Sequence, residues 1–85
     1  MTPLQQTLVQ LTLDVNARAT IKDAADLDRK FDHIGLDSLE VMSLMLGVME
    51  RFDIKIADAE VDKLMTLNEL ARFVESEFAR LGRKA

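Results

Sequence analysis

The chain has 85 residues, no cysteine and a formal net charge of -4. That bounds it to one domain with a modest core, too small to enclose a deep catalytic cleft of its own, and it excludes both a disulfide framework and a thiolate zinc site. The acidic balance, with no basic cluster, argues against nucleic acid and favours basic protein surfaces as partners. No stretch has the length of a membrane span or the basic start of a secretion signal, so the chain reads as cytoplasmic, without membrane insertion and monomeric.

Thr2 followed by Pro3 predicts a helix start, because proline at the first helical position forfeits an N–H that has no partner there anyway. Leu4, Leu8, Leu11 and Val15 then recur on one face, predicting an amphipathic core helix over about 3–16. Residues 17–37 form a long connection in which Ile21, Leu27, Phe31 and Ile34 are expected to pin the backbone to the helices, with room for a short helical turn. His33 is the only histidine and lies five residues before Ser38. Ser38 lacks the flanking glycines of a nucleophile elbow, with Glu40 two residues after it, and a lone histidine lacks the partners of a metal site, so His33 reads as a surface or loop histidine, and no catalytic residue and no metal site are expected.

The stretch Gly35-Leu36-Asp37-Ser38-Leu39-Glu40 hands a loop over to an apolar helix. Asp and Ser both cap helices well, so Ser38 is expected at the helix mouth. The free N–H groups and dipole there favour a phosphoester on its hydroxyl. The helix expected over 38–52 carries two apolar stripes. Val41, Leu44, Met45, Val48 and Phe52 make the core face, while Leu39, Met42, Leu46 and Met49 run along the side next to Ser38. Seven acids against three bases fall between Asp37 and Met65, so the acidic field is centred on this helix and the segment after it.

Beyond the helix, Ile54 and Ile56 alternate with Asp53 and Lys55 in what reads as an extended loop with both isoleucines turned inward. A calcium loop over 53–64 fails, because Lys55 and Ala57 stand at ligand positions and Asp58 replaces the required glycine. Asp58 is expected to cap a short helix over about 59–65, with Val61 and Leu64 facing in. Thr66 and Glu69 form a capping box for a last helix over about 67–81, whose apolar face is Leu67, Leu70, Ala71, Val74, Phe78 and Leu81. Gly82 stops that helix, and Arg80, Arg83 and Lys84 complement its dipole. The fold expected is all-α: a four-helix bundle of three long helices and one short one, in a single domain spanning 1–85.

Gly35-Leu36-Asp37-Ser38-Leu39 and the order of elements from Phe31 to about Ser76 resemble the acyl carrier proteins, including Phe52-Asp53-Ile54-Lys55-Ile56 after the motif helix. The family has a similarly long first loop. The resemblance implies a non-catalytic carrier with 4'-phosphopantetheine, derived from coenzyme A, attached covalently to Ser38. Asp37 would contact magnesium while a phosphopantetheinyl transferase makes that bond. It also implies that partner enzymes, acyl-transferring and condensing, dock on Leu39, Glu40, Met42, Leu46, Met49 and Glu50 for fatty acid, polyketide or other lipid biosynthesis. Ser43 and Met49 stand where carriers of primary fatty acid synthesis usually have glutamates, which points to a dedicated pathway. Two other readings stay open: a peptidyl or alanyl carrier, and a helical interaction module in which Ser38 is a plain helix cap.

Overall fold

The computed structural model describes residues 1–84. Helix α1 (Pro3–Val15) starts where Thr2 and Pro3 predict it. Thr2 Oγ1 accepts from the Gln5 N–H at 3.1 Å and Gln5 Oε1 accepts from the Thr2 N–H at 2.8 Å, so two orphan donors are satisfied at once. Leu8 is buried, with Leu4, Leu11 and Val15 at the core's edge. Thr12 is fully buried as well, a position that apolar spacing alone does not reveal, and its hydroxyl donates to Leu8 O at 2.8 Å.

The long connection holds two 3-10 turns, Ala24–Asp28 and Phe31–Ile34. Leu27, Phe31 and Ile34 are buried and Ile21 packs against them, as expected. Asp26 gathers the first turn: its carboxylate accepts from Lys22 N at 2.7 Å, Asp23 N at 3.4 Å and the Arg29 guanidinium at 3.2 Å. The Lys22 N–H and then the Arg29 guanidinium hold Asp26 below the usual carboxylate pKa.

Helix α2 (Ser38–Phe52) has the bounds expected for it. Leu44, Met45 and Val48 have no exposed surface, with Val41 and Phe52 partly buried beside them. Ile54 and Ile56 are buried in the loop after it, and among the described residues no strand forms.

Helix α3 (Asp58–Val61) corrects the expectation of a helix over 59–65. Asp58 is its first helical residue, not its cap; Ala57 occupies the cap position and offers no side-chain acceptor. The helix stops early because the chain just beyond it is claimed elsewhere. Phe31 N donates to Met65 O at 3.0 Å, and Lys30 and Thr66 form an isolated antiparallel bridge, which draws residues 64–66 out of helical register. Leu64 is still buried, and Val61 packs at the core's edge.

Helix α4 (Leu67–Arg80) buries Leu67, Leu70, Ala71, Val74 and Phe78. Leu81, expected on the same face, is the C-cap and lies 44% exposed. Thr66 Oγ1 caps the Glu69 N–H at 3.0 Å, but the Glu69 carboxylate reaches back one residue further than a capping box requires, to Met65 N at 3.0 Å. Gly82 (φ 69) ends the helix: Arg83 N donates to Phe78 O at 2.7 Å and Gly82 N to Ala79 O at 3.3 Å, bonds that close the last turn through a left-handed glycine. Helix α1 lies against both α2 and α4, completing a bundle of three long helices and one short one.

Candidate functional site

The site is built where the second 3-10 turn meets α2. Gly35 (φ 101) takes the left-handed conformation that reverses the chain, and its carbonyl accepts from Asn16 Nδ2 at 3.2 Å. Leu36 is buried, which anchors the next step. Asp37 then takes the cap: its Oδ1 accepts from the Glu40 N–H at 2.8 Å, while Glu40 Oε1 accepts from the Asp37 N–H at 3.0 Å.

Ser38 is therefore the first helical residue and not the cap, which corrects the plain-cap reading of its hydroxyl. The local sequence carried the signal, since an aspartate followed at the third position by a glutamate is a reciprocal capping pair. Ser38 is exposed, and among the described residues its hydroxyl takes part in no hydrogen bond. Its oxygen stands at the positive end of a helix dipole with nothing to hold it.

Ser38 and Asp37 also line a cleft of about 420 Å³. Its apolar walls are Phe31 and Leu36 from the loop, Val41 and Met42 from α2, and Val61, Leu64 and Met65 from the α3 side. Lys30 is the only cation on the lining. His33 is exposed and lies 3.9 Å from Asp32, outside this lining. Among the described residues no cluster of metal-binding side chains forms.

The α2 residues expected to meet partners divide in two. Leu39 (79% exposed), Leu46 (54%) and Met42 (43%) stand open, and Glu50 is exposed at the far end. Met49 is half-buried against the core, and Glu40 is half-buried with its carboxylate committed to the cap, so neither is free on the face. Met65, 44% exposed and on the cleft wall beside Met42, is a residue that helical spacing does not single out; it alternates with buried Leu64 across a short extended segment.

The family model described as a phosphopantetheine attachment site matches residues 6–74, most of the chain and all of the site. The acyl carrier protein of an Exiguobacterium species is 32% identical over 74 residues, covering 80% of this chain and 94% of that protein. The chain belongs to the acyl carrier protein family. The acyl carrier protein of Campylobacter hominis is 34% identical over 55 residues, 64% of this chain and 70% of that one. A chloroplastic acyl carrier protein of Brassica napus is 29% identical over 72 residues, 82% of this chain, which spans 54% of the relative's length. As a member of this family the chain is a carrier, not a catalyst, and its cofactor is phosphopantetheine. Among the described residues of this acyl carrier no helix is long and apolar enough to cross a membrane.

Proposed function

We propose that residues 1–85 form one cytoplasmic, monomeric carrier domain whose tether point is Ser38, with acyl groups of a dedicated biosynthetic pathway as cargo. The observation that carries this is the free, exposed hydroxyl on the first residue of α2, left open because Asp37 supplies the cap. In the loading reaction Ser38 Oγ attacks a phosphorus of the pyrophosphate of coenzyme A. The Oγ–P bond forms, the pyrophosphate link breaks, the nucleotide portion departs and the hydroxyl proton passes to the transferase. Asp37 Oδ1 accepts from the Glu40 N–H at 2.8 Å, and the rest of this carboxylate would be available to hold the magnesium ion that supplies charge neutralisation for the transfer. Once attached, phosphopantetheine supplies the thiol that the chain lacks and holds acyl groups as thioesters on a flexible tether, at a raised effective concentration.

The chain's own residues prepare the site for cargo. The first turn of α2 holds the tether point open, and the apolar cleft beside it shelters a short aliphatic chain from water. Leu39, Met42, Leu46 and Glu50 form the docking face for the transferase and for acyl-transferring and condensing enzymes. That face bears fewer acids than carriers of primary fatty acid synthesis, which supports a dedicated pathway. Purified protein incubated with a broad-specificity phosphopantetheinyl transferase, magnesium and coenzyme A is expected to gain the mass of one phosphopantetheinyl group, and Ser38→Ala none. Equal gain by both proteins would refute the assignment.

A further inference from the structure

With no cysteine in the chain, its five methionines hold its only sulfur atoms, and the fold distributes them unevenly. Met45 has no exposed surface and Met49 packs against the core. Met1 is exposed at the start of the chain but lines no part of the cleft beside Ser38. Met42 and Met65, exposed to 43% and 44%, both line it. Of the apolar side chains on that lining these two alone are exposed, since Phe31, Leu36 and Leu64 are buried and Val41 and Val61 half-buried.

The backbone holds both residues in place. Met42 stands in the second turn of α2. The Met65 N–H donates to the Glu69 carboxylate at 3.0 Å and its carbonyl accepts from the Phe31 N–H at 3.0 Å, so both backbone groups are fixed. Leucine, of similar volume, would cover the same apolar wall, and what methionine adds there is a flexible, oxidisable sulfur.

We propose that Met42 and Met65 are a paired oxidation site for hydroperoxides, and that their sulfoxides end the shelter the cleft gives to cargo. In each event the sulfur lone pair attacks a peroxide oxygen. The S–O bond forms, the O–O bond breaks, and the sulfur is oxidised by two electrons while the other oxygen takes up the proton and leaves as water or an alcohol. A sulfoxide reductase reverses the change, with a dithiol oxidised to a disulfide and the oxygen released as water.

The oxygen gained is a hydrogen-bond acceptor, and the cleft is short of side-chain donors. Asp32, Asp37 and Asp62 line it as carboxylates, which only accept, and Lys30 is its one cation. The Ser38 hydroxyl, also on the lining, is consumed once the arm is attached. Cargo lying across two sulfoxides would cover acceptors that need water, so the oxidised cleft holds it less well. This consequence rests on Ser38 as the tether point and on the cleft as the shelter for its cargo.

The test uses the full chain loaded by a broad-specificity transferase from octanoyl-coenzyme A, so that no free thiol competes for the oxidant. One portion receives dilute hydrogen peroxide and then catalase. Fragmentation mass spectrometry should find oxygen on Met42 and Met65 at least about tenfold faster than on Met45 or Met49. The thioester of the oxidised protein should then hydrolyse at least about threefold faster than that of the untreated protein. The double variant Met42→Leu/Met65→Leu, compared with its own untreated sample, should not respond, and an unchanged urea midpoint verifies that it folds. Oxygen on Met45 as early as on Met42 and Met65, a hydrolysis rate unmoved once both carry oxygen, or an equal acceleration in the double variant overturns this proposal and leaves Ser38 in place. A chain that gains no octanoyl arm before any oxidant is added overturns the tether reading as well.

Discussion

The two ends of α2 are finished in opposite ways. At its C-terminus Asp53 turns the chain through a left-handed conformation (φ 52), and the Arg83 guanidinium donates to the carbonyls of Phe52 and of Asp53, the latter at 2.8 Å. The same guanidinium lies 4.7 Å from the Phe78 ring centroid, and Phe78 meets Phe52 edge-on at 5.8 Å. Carbonyls at that end are drawn into the fold by a residue about thirty positions away in sequence. At the N-terminus the capping is entirely local, Asp37 with Glu40, and it leaves Ser38 outside. One end of the helix is tied into the fold, and the other leaves a hydroxyl unbonded.

Breaking the closed end should have the largest effect on stability. Arg83→Ala removes charge-assisted bonds to two carbonyls and a cation–ring contact, and is expected to cost about 1 to 3 kcal/mol. For a domain of this size each kcal/mol lowers Tm by about 4 to 8 °C, measured by thermal unfolding, while loading at Ser38 stays intact. Asp37→Ala removes the cap, for about 1 kcal/mol, and faster amide exchange should be confined to the first turn of α2. This variant should also load more slowly, unlike Arg83→Ala, if the same carboxylate holds the magnesium ion as proposed. Equal loading by both variants would erase the contrast between the ends.

Ser38→Ala should leave Tm unchanged within error, since its hydroxyl holds nothing. The smallest effect belongs to the first loop. Asp26 titrates below its ordinary range in the folded chain, so its share of stability is present above that range and is lost as pH falls through the lowered value. Asp26→Asn should flatten that part of the acid limb in pH-dependent unfolding; an unaltered limb would show that the Lys22 and Arg29 contacts contribute nothing.

Local signals were legible in the sequence, and remote ones were not. Thr2 with Pro3, the apolar period of α2 and Gly82 each act within a turn of themselves, and each predicts an observed boundary. The stop of α3 depends on Phe31 and Lys30 reaching Met65 and Thr66, and the α2 clamp depends on Arg83; neither pairing leaves a mark in local spacing. Within the site the residues were identifiable, but which of two neighbours caps the helix and which of two methionines enters the core took the structure to separate. Asp37 and Ser38 both suit a cap by type, and Met49 and Met42 look alike on a helical wheel until the core takes one of them.

The central claim is that one oxygen, Ser38 Oγ, receives the cofactor. Proteolysis of the loaded protein followed by fragmentation mass spectrometry tests it most directly, because Ser43, also exposed, comes only five residues later on the same helix. The account predicts a single modified peptide, with fragment ions that bracket the added mass at Ser38. The same mass bracketed at Ser43, or at any other hydroxyl, would contradict it.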